Sequence, residues 1–573
     1  MSGSSSVFGN TRAFALAAIL LAASSVVAAA ERCPGDDPGI VLPPGFCASV
    51  FADDLGHVRH LAIAANGDVY ANTWSSFLYR TPPPPGGFLL ALRDTHASGR
   101  ADQIRRFGSS PAEGASGGTG IALYHGALYA EQGDRILRYR LSGGALLPSA
   151  APAVIVSGLP MTGDHNMHPF VIDARGNLFM DSGSATNACQ QANRMPQSPG
   201  ETPCTELATR GGIWRFDANR TGQKFSAAQR YATGIRNGEG LSFDSAGRLF
   251  VTQHGRDQLR ENWPDLYSVA IGRELPAEEL MQLQHDADYG WPGCYFDGSQ
   301  QRLVLSPEYG GDGGHALGDC AGKHGPLAWF PAHWAPNDLL IYQGQQFPPP
   351  YRGGAFIAFH GSWNRAPGPQ GGYDVVYQPL HNGRAAGPYV VFADGFAGAE
   401  IAPGRAQFRP TGLAMGPDGA LFVSDDQRGR IWRITWRGGA DAPTTLASVS
   451  VPKAAGAHDA RPALDSLPLP PGGTREQLQQ GERIFHGEAS DGTCGGCHSS
   501  DGKGSMVGAD LSTGQWLWSD GSVGGIANTI MQGVPHAKRT LGSMPPLGGA
   551  PLAAADVQAV AAYVWALGHA QGH

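Results

Sequence analysis

One phrase recurs through most of this chain: a short apolar strand, a tight glycine turn, a second apolar strand and often a third. It runs first as Leu61-Ala62-Ile63, Asn66-Gly67 and Val69-Tyr70, then as Ile121-Ala122-Leu123, Gly126 and Leu128-Tyr129, closed by Ile136-Leu137-Arg138-Tyr139. The third repeat is Phe170-Val171-Ile172, Gly176 and Leu178-Phe179, closed by Ile213-Trp214-Arg215-Phe216, and the fourth is Leu241-Ser242-Phe243, Gly247 and Leu249-Phe250-Val251. A looser fifth combines Ala355-Phe356-Ile357-Ala358-Phe359 with Tyr373-Asp374-Val375-Val376-Tyr377. The sixth is Leu413-Ala414-Met415, Pro417-Asp418-Gly419 and Leu421-Phe422-Val423, closed by Ile431-Trp432-Arg433-Ile434. A short sheet of this kind cannot bury both faces alone, so repetition implies stacked neighbours. The phrase predicts a mainly β fold, a six-bladed propeller over residues 31–437. A pair of β-sandwiches fits less well, because the phrase recurs too regularly. The largest gap in the rhythm, between Gln258 and Tyr342, reads as an insertion crowding the mouth of the central channel.

The 82 Gly and 43 Pro agree with many short strands and turns. Arg12 followed by the apolar run Ala13 to Ala30 reads as a cleaved export signal over residues 1–30. No later stretch reaches the run of about 18 apolar residues that a span needs, so no membrane span is expected in the mature protein. Of eight cysteines, six fall as chain neighbours: Cys33 with Cys47, Cys189 with Cys204, and Cys294 with Cys320. Disulfides in that order suit a periplasmic or secreted protein. A net charge of -8 gives no basic patch for nucleic acid or anionic lipid.

The other two cysteines stand in Cys494-Gly495-Gly496-Cys497-His498. C-x-x-C with histidine directly behind it is the attachment pattern of c-type haem: two thioethers to the porphyrin and one axial ligand to iron. A redox C-x-x-C pair expects a βαβ context, and a zinc site expects a second ligand pair nearby; neither is present. Residues 438–473 are rich in Ala, Pro and Gly and read as a linker. Beyond it, Thr474 can cap a helix carrying Leu478, Gly481, Ile484 and Phe485, and Val557, Val560, Ala561, Val564 and Leu567 repeat at helical spacing before Gly568. Residues 474–573 therefore resemble a class I cytochrome c, a small all-α domain. That resemblance implies a methionine as second axial ligand, and Met544-Pro545-Pro546 fits it; Met506, Met531 and His536 are the alternatives.

Four polar groups break the propeller repeats at strand ends: Asp164-His165-Asn166, Arg236-Asn237, His254-Gly255-Arg256-Asp257, and His360-Gly361-Ser362-Trp363-Asn364-Arg365. Histidine there can act as a base, and arginine can hold an anion. Any one alone is a rim residue, whereas four converging at one mouth make a site.

These motifs, with Leu42-Pro43-Pro44-Gly45-Phe46, Gly163-Asp164-His165 and Tyr289-Gly290-Trp291-Pro292, resemble the pyrroloquinoline-quinone-dependent sugar dehydrogenases from about Leu42 to Arg437. Within that group the sorbosone and pyranose enzymes are the nearer branch. The resemblance implies quinone and calcium at the propeller mouth. It places His165 as the general base, Arg236 beside the reacting quinone oxygen, and Asn237, His254, His360, Trp363, Asn364 and Arg409 among the cofactor contacts. Gly255-Arg256 stands where a Gly-Pro pair offers calcium its carbonyls. Ser184 stands where an acid orients the base, leaving Asp164 or Asp181 to do so, and Thr411 replaces a second arginine. The whole implies an exported quinohaemoprotein dehydrogenase that oxidises a sugar, polyol or aldehyde. Electrons would reach haem c and then an outside acceptor, whether a soluble cytochrome, a copper protein or a membrane quinone pathway. The competing functions are a calcium-dependent lactonase-type propeller and a non-catalytic docking propeller.

Overall fold

The computed structural model describes residues 33, 39–75, 82–113, 115–365, 369–401, 405–438, 443–450, 461–492, 494–504, 508–535, 537–540 and 544–570. The proposed export signal lies outside these residues, as do Met506 and His536.

Six four-stranded antiparallel blades surround a channel. From the innermost strand outward, blade 1 is Val58–Ile63, Val69–Thr73, Leu89–Arg93 and Gln103–Phe107. Blade 2 is Ile121–Tyr124, Ala127–Gln132, Arg135–Arg140 and Ala153–Ser157, with Gln223–Lys224 added in parallel at its edge. Blade 3 is Phe170–Ile172, Asn177–Ser182, Gly212–Asp217 and Arg230–Thr233, and blade 4 is Leu241–Phe243, Leu249–Gln253, Glu278–Gln282 and Ala328–Phe330. Blade 5 is Pro336–Ile341, Ala355–Phe359, Asp374–Gln378 and Val390–Ala393. Blade 6 takes Pro410–Met415, Leu421–Asp425 and Ile431–Trp436 from one end of the propeller sequence and its outer strand, Phe46–Ala52, from the other.

That closure is held by pairing and by packing. Ala48 sits opposite Ile434 in the ladder. Phe46 meets Phe347, Phe392 and Trp436 edge-on, each at 4.9 Å between centroids. Aromatic pairs of this geometry add to the area they bury, so the first strand locks blades 5 and 6 together.

The stretch between Gln258 and Tyr342 corrects the expectation of one long insertion. It contains the two outer strands of blade 4 and the inner strand of blade 5. Their pattern is masked because blades bury both faces, so alternation disappears, and because Glu278-Glu279 and Asn337-Asp338 sit in buried strand positions. The true insertions are the helices Leu259–Asn262 and Val269–Glu274 and the hairpin Cys294–Asp297 with Arg302–Leu305. All three disulfides form in chain order: Cys33–Cys47, Cys189–Cys204 and Cys294–Cys320.

The linker is less free than its composition suggests. Ala447 donates to the Tyr351 hydroxyl at 3.1 Å, and Val449 donates to the Val391 carbonyl at 2.9 Å, tying it along blade 5.

The C-terminal helices are Arg475–Phe485, Cys494–His498, Val523–Gln532 and Ala554–His569. Thr474 caps the first, accepting from Gln477 N at 3.2 Å. The first and last helices cross at Gly481, where a Cβ would lie 2.0 Å from the Ala559 carbonyl oxygen, so only glycine permits this approach. Leu478, Ile484, Phe485, Ile526, Val560 and Tyr563 form the core beneath the crossing.

This unit rests on the propeller face. Arg260 donates to the Gly549 carbonyl and stands 3.9 Å from Asp491, while Arg405 pairs with buried Asp501 at 2.9 Å. Among the described residues no helix is long and apolar enough to cross a membrane.

Candidate active site

His165 precedes the inner strand of blade 3 and is half-buried. Its Nδ1 donates to the Ser184 carbonyl at 3.0 Å and lies 2.9 Å from the Ser184 hydroxyl, which itself donates to Thr186 O. Donation to a carbonyl fixes the proton on Nδ1, so Nε2 is the nitrogen able to accept one. Burial first, then Arg236 and Arg194, drive its pKa well below 6.5, which keeps the ring neutral. Ser184 therefore orients the histidine. Asp164 instead pairs with Arg194 at 2.9 Å, and no hydrogen bond joins Asp181 to the ring, so the expectation that one of these acids does this work is corrected.

Asp257 is the hub of the mouth. It accepts from Arg236 at 3.0 Å, from Arg194 at 3.1 Å and from Asn364 Nδ2 at 2.8 Å. Although burial opposes ionisation, Arg236 and Arg194 hold its carboxyl far below the usual range. Arg236 is 3% exposed and also donates to both oxygens of Asn187, at 3.0 Å each. Three elements thus meet on one carboxylate: the loop pinned by Cys189–Cys204, which carries Arg194, the rim of blade 4, and the blade 5 motif.

The other expected residues divide between roles. His254 donates to Pro336 O at 3.2 Å, and burial and then Arg236 lower its pKa to about 3. His360 is spent on Asp426 at 2.7 Å, its pKa lowered to about 4 by burial and Arg409. Arg409 donates at 2.9 Å to the carbonyls of His360 and Gly361 and lies over Tyr373, 5.5 Å from the ring centroid. Asn237 and Asn364 each keep a buried amide oxygen without a partner. Beside them, Gly183 leaves no room for a side chain, since a Cβ would come within 2.6 Å of His165 and 2.9 Å of Asn237.

Trp363 turns up on another wall. With Gln258 and Glu261 it lines a crevice of about 1400 Å³, open side included, whose other walls belong to the C-terminal unit. Cys494, Cys497, His498 and Met544 line the same crevice among Phe485, Ile530 and Val560. His498 Nδ1 donates to Ala509 O at 2.8 Å, which presents Nε2 to the cavity. Neither Cys494 nor Cys497 forms a disulfide. Met544 is fixed by a two-way backbone bridge to Val534, at 2.7 and 2.9 Å, and lines the crevice, whereas Met531 is 44% exposed.

A family model described as TrAA12-like matches residues 112–437. The chain belongs to the TrAA12-like family. A second, described as cytochrome c oxidase, cbb3-type, subunit III, matches residues 476–564. Among curated relatives, an uncharacterised protein of Borreliella burgdorferi is 28% identical over 207 residues, 35% of this chain and 48% of its own. The pyrroloquinoline quinone-dependent pyranose dehydrogenase of Coprinopsis cinerea is 27% identical over 242 residues, 35% of this chain and 30% of its own. The chain thus spans less than half the length of these relatives. Two solved structures share the fold: the holo quinone domain of the Coprinopsis cinerea pyranose dehydrogenase (TM-score 0.54, 20% identity, 70% of this chain and 99% of that one) and the Trichoderma reesei family AA12 enzyme with iodide (TM-score 0.55, 18%, 70% and 98%).

The TrAA12-like mouth suits a planar polyanionic cofactor: guanidinium groups, a neutral imidazole and two orphaned amides surround glycine-lined backbone. The apolar crevice with its two thiols, His498 and Met544 suits haem c. Calcium fits less well. The Gly255 carbonyl accepts from Arg236 Nη1 at 2.9 Å, and Arg256 runs into a buried pair with Glu308 at 2.5 Å. Among the described residues no group of three His, Cys, Asp or Glu could hold a metal ion. The Gly255 carbonyl is thus already engaged by a guanidinium, and no chemistry is derived through calcium here.

Asn187 and Arg194 escaped the sequence, and Ser184 entered it only as the residue standing where an acid orients the base. No spacing marks them; the one available signal was that Asn187 and Arg194 flank Cys189 in a short disulfide loop, where a pinned loop can carry function.

Proposed function

We propose that this TrAA12-like protein is an exported quinohaemoprotein that dehydrogenates a sugar or related polyol or aldehyde of the sorbosone or pyranose type. One observation carries the proposal: the haem crevice opens on Gln258, Glu261 and Trp363, chain neighbours of the Asp257 and Asn364 that organise the mouth. Three disulfides agree with an oxidising compartment.

Arg236, Asn237 and Asn364 would hold pyrroloquinoline quinone, and Cys494, Cys497, His498 and Met544 would hold the haem. Bound there, the quinone supplies a hydride acceptor and the haem a one-electron acceptor. The chain's own contribution is proton handling and charge. Neutral His165 takes the hydroxyl proton of the substrate at Nε2, while Ser184 keeps its Nδ1 protonated. Arg194 and Arg236, fixed by Asp257, supply positive potential where negative charge develops. A lactonase would need carboxylates converging on calcium, and among the described residues no such group is found.

The test is the haem spectrum of ferric protein given pyrroloquinoline quinone, with and without added calcium, then a panel of aldoses, ketoses and alditols. Haem reduction that requires both quinone and a sugar is the expected result. Dye reduction with the haem staying ferric would disprove the internal path. Absence of quinone binding and turnover would disprove the dehydrogenase.

A further inference from the structure

The loop that carries Met544 is held from two sides. On its own side the backbone bridge to Val534 seats it at the end of the helix Val523–Gln532, where Gly533 makes room: a Cβ there would lie 2.4 Å from the Met544 carbonyl oxygen. Beyond Pro545 the chain turns with Leu547, Gly548 and Gly549 in succession in the left-handed region, at φ 58°, 65° and 76°. Glycine takes that conformation freely, but leucine takes it at a cost, so the turn needs support. Its own backbone supplies Gly548 N to Pro545 O at 2.9 Å and Ala550 N to Leu547 O at 3.2 Å.

The other support comes from the propeller. Arg260, in the short helix Leu259–Asn262, donates to the Gly549 carbonyl, and the same helix packs so closely that a Cβ on Gly549 would lie 2.9 Å from Glu261 Cβ. The Arg260 side chain is 6% exposed, and its stem rests on Gly272, where a Cβ would come within 2.6 Å of it. Neither Arg260 nor Gly549 lines the haem crevice, so this contact lies behind the wall and not in the space that haem would fill. The helix is tied in turn to the mouth. Asn262 accepts from Arg256 Nη2 at 3.1 Å and donates to the Arg194 carbonyl at 3.0 Å, and Gln258 accepts from Arg194 Nη1 at 3.1 Å.

We propose that the helix Leu259–Asn262 clamps the methionine loop, with Arg260 as a positioning residue that keeps the Met544 sulfur available to the haem iron. The proposal rests on the reading of Met544 as axial ligand. A thioether is an uncharged ligand on a flexible side chain, so its hold depends on the loop behind it. Arg260 supplies that hold from the other domain, and the propeller thereby helps to set the ligation of the haem it would reduce.

The test uses the full haem-loaded chain in the ferric state, with neither quinone nor sugar present. Three quantities are read: the methionine-to-iron charge-transfer band, displacement of the methionine by added imidazole, and the haem potential. Met544→Ala should abolish the band. In Arg260→Ala imidazole should displace the methionine about tenfold more readily, the scale of one lost hydrogen bond to a charged group, and the potential should fall. Loss of the charge alone would also lower the potential but would leave displacement unchanged, so displacement decides. Arg260→Lys, which keeps a donor, should recover most of the wild-type behaviour. Asn262→Ala frees the helix without altering charge and should move displacement the same way by a smaller factor. An unaltered melting profile of the propeller certifies folding. Wild-type displacement in Arg260→Ala would overturn the clamp while leaving the ligand reading intact. A wild type without the band, or a band that survives Met544→Ala, would overturn the ligand reading and the proposal with it.

Discussion

In the propeller mouth the charged side chains hold one another across blades: Asp257 binds two arginines and an asparagine, and His360 pairs with Asp426. The haem crevice is the reverse, a mostly apolar space whose thiols and candidate iron ligands come from one short helix and one loop. A network fixes charge and tautomer in advance but tolerates no missing member. A cavity is incomplete until filled, so much of its stability must come from the group that fills it. The two sites should therefore fail differently.

The largest effect is expected in the cavity. Replacing Cys494 and Cys497 together with serine should abolish covalent haem and unfold the C-terminal helices, leaving the propeller transition in place. Haem staining of denaturing gels and two-transition calorimetry check it; survival of a folded apo unit would show that the core beneath Gly481 suffices alone.

Next comes His165→Ala, expected to lower kcat by about 10²–10⁴-fold, as for loss of a general base, with quinone binding retained. Because burial, Arg236 and Arg194 depress the His165 pKa, the base is neutral throughout the neutral range. Activity should stay flat down through pH 6.5 and fall only on stronger acidification. The stability that the neutral ring contributes is full above 6.5 and is lost as pH falls below it. An inflection near 6.5 in the wild-type profile would contradict the network's control of this ring.

These two sites were unequally legible. Cys494 to His498 are contiguous, so covalent spacing encodes the haem site directly. The mouth is encoded by topology: Arg194, Asp257 and Asn364 are far apart in the chain and meet only when blades close. His165 and Arg236 were visible as polar breaks at strand ends, but the partner orienting His165 was misassigned, because Ser184 reaches it through backbone as well as side chain. The repeats were legible wherever a glycine turn separates two apolar strands. They vanished in the outer strands of blade 4 and the inner strand of blade 5, where buried acids interrupt the apolar runs.

Asp257→Asn should come third. It removes the charge shared by Arg236 and Arg194 but keeps the shape, leaving buried guanidinium groups short of a counterion. Breaking a buried pair costs about 3–5 kcal/mol, so the propeller transition should move while the cytochrome transition does not. Equal shifts in both would mean that the two units unfold as one.

The smallest effect tests the seam between them. Arg405 is partly exposed and Asp501 is buried, at 26% and 4% of their side-chain surface. Arg405→Ala should cost under about 1 kcal/mol in either transition, as for other partly solvated pairs. Its effect should instead be kinetic: docking loosens, and haem reduction by sugar slows several-fold while dye reduction at the mouth is unchanged. Arg260→Ala removes the second tie, to the Gly549 carbonyl, and the double variant should slow transfer further. If the double variant still reduces its haem at the wild-type rate, the contact of Trp363 and Glu261 with the crevice is enough to hold cavity and network in register, and the salt bridges only trim the approach.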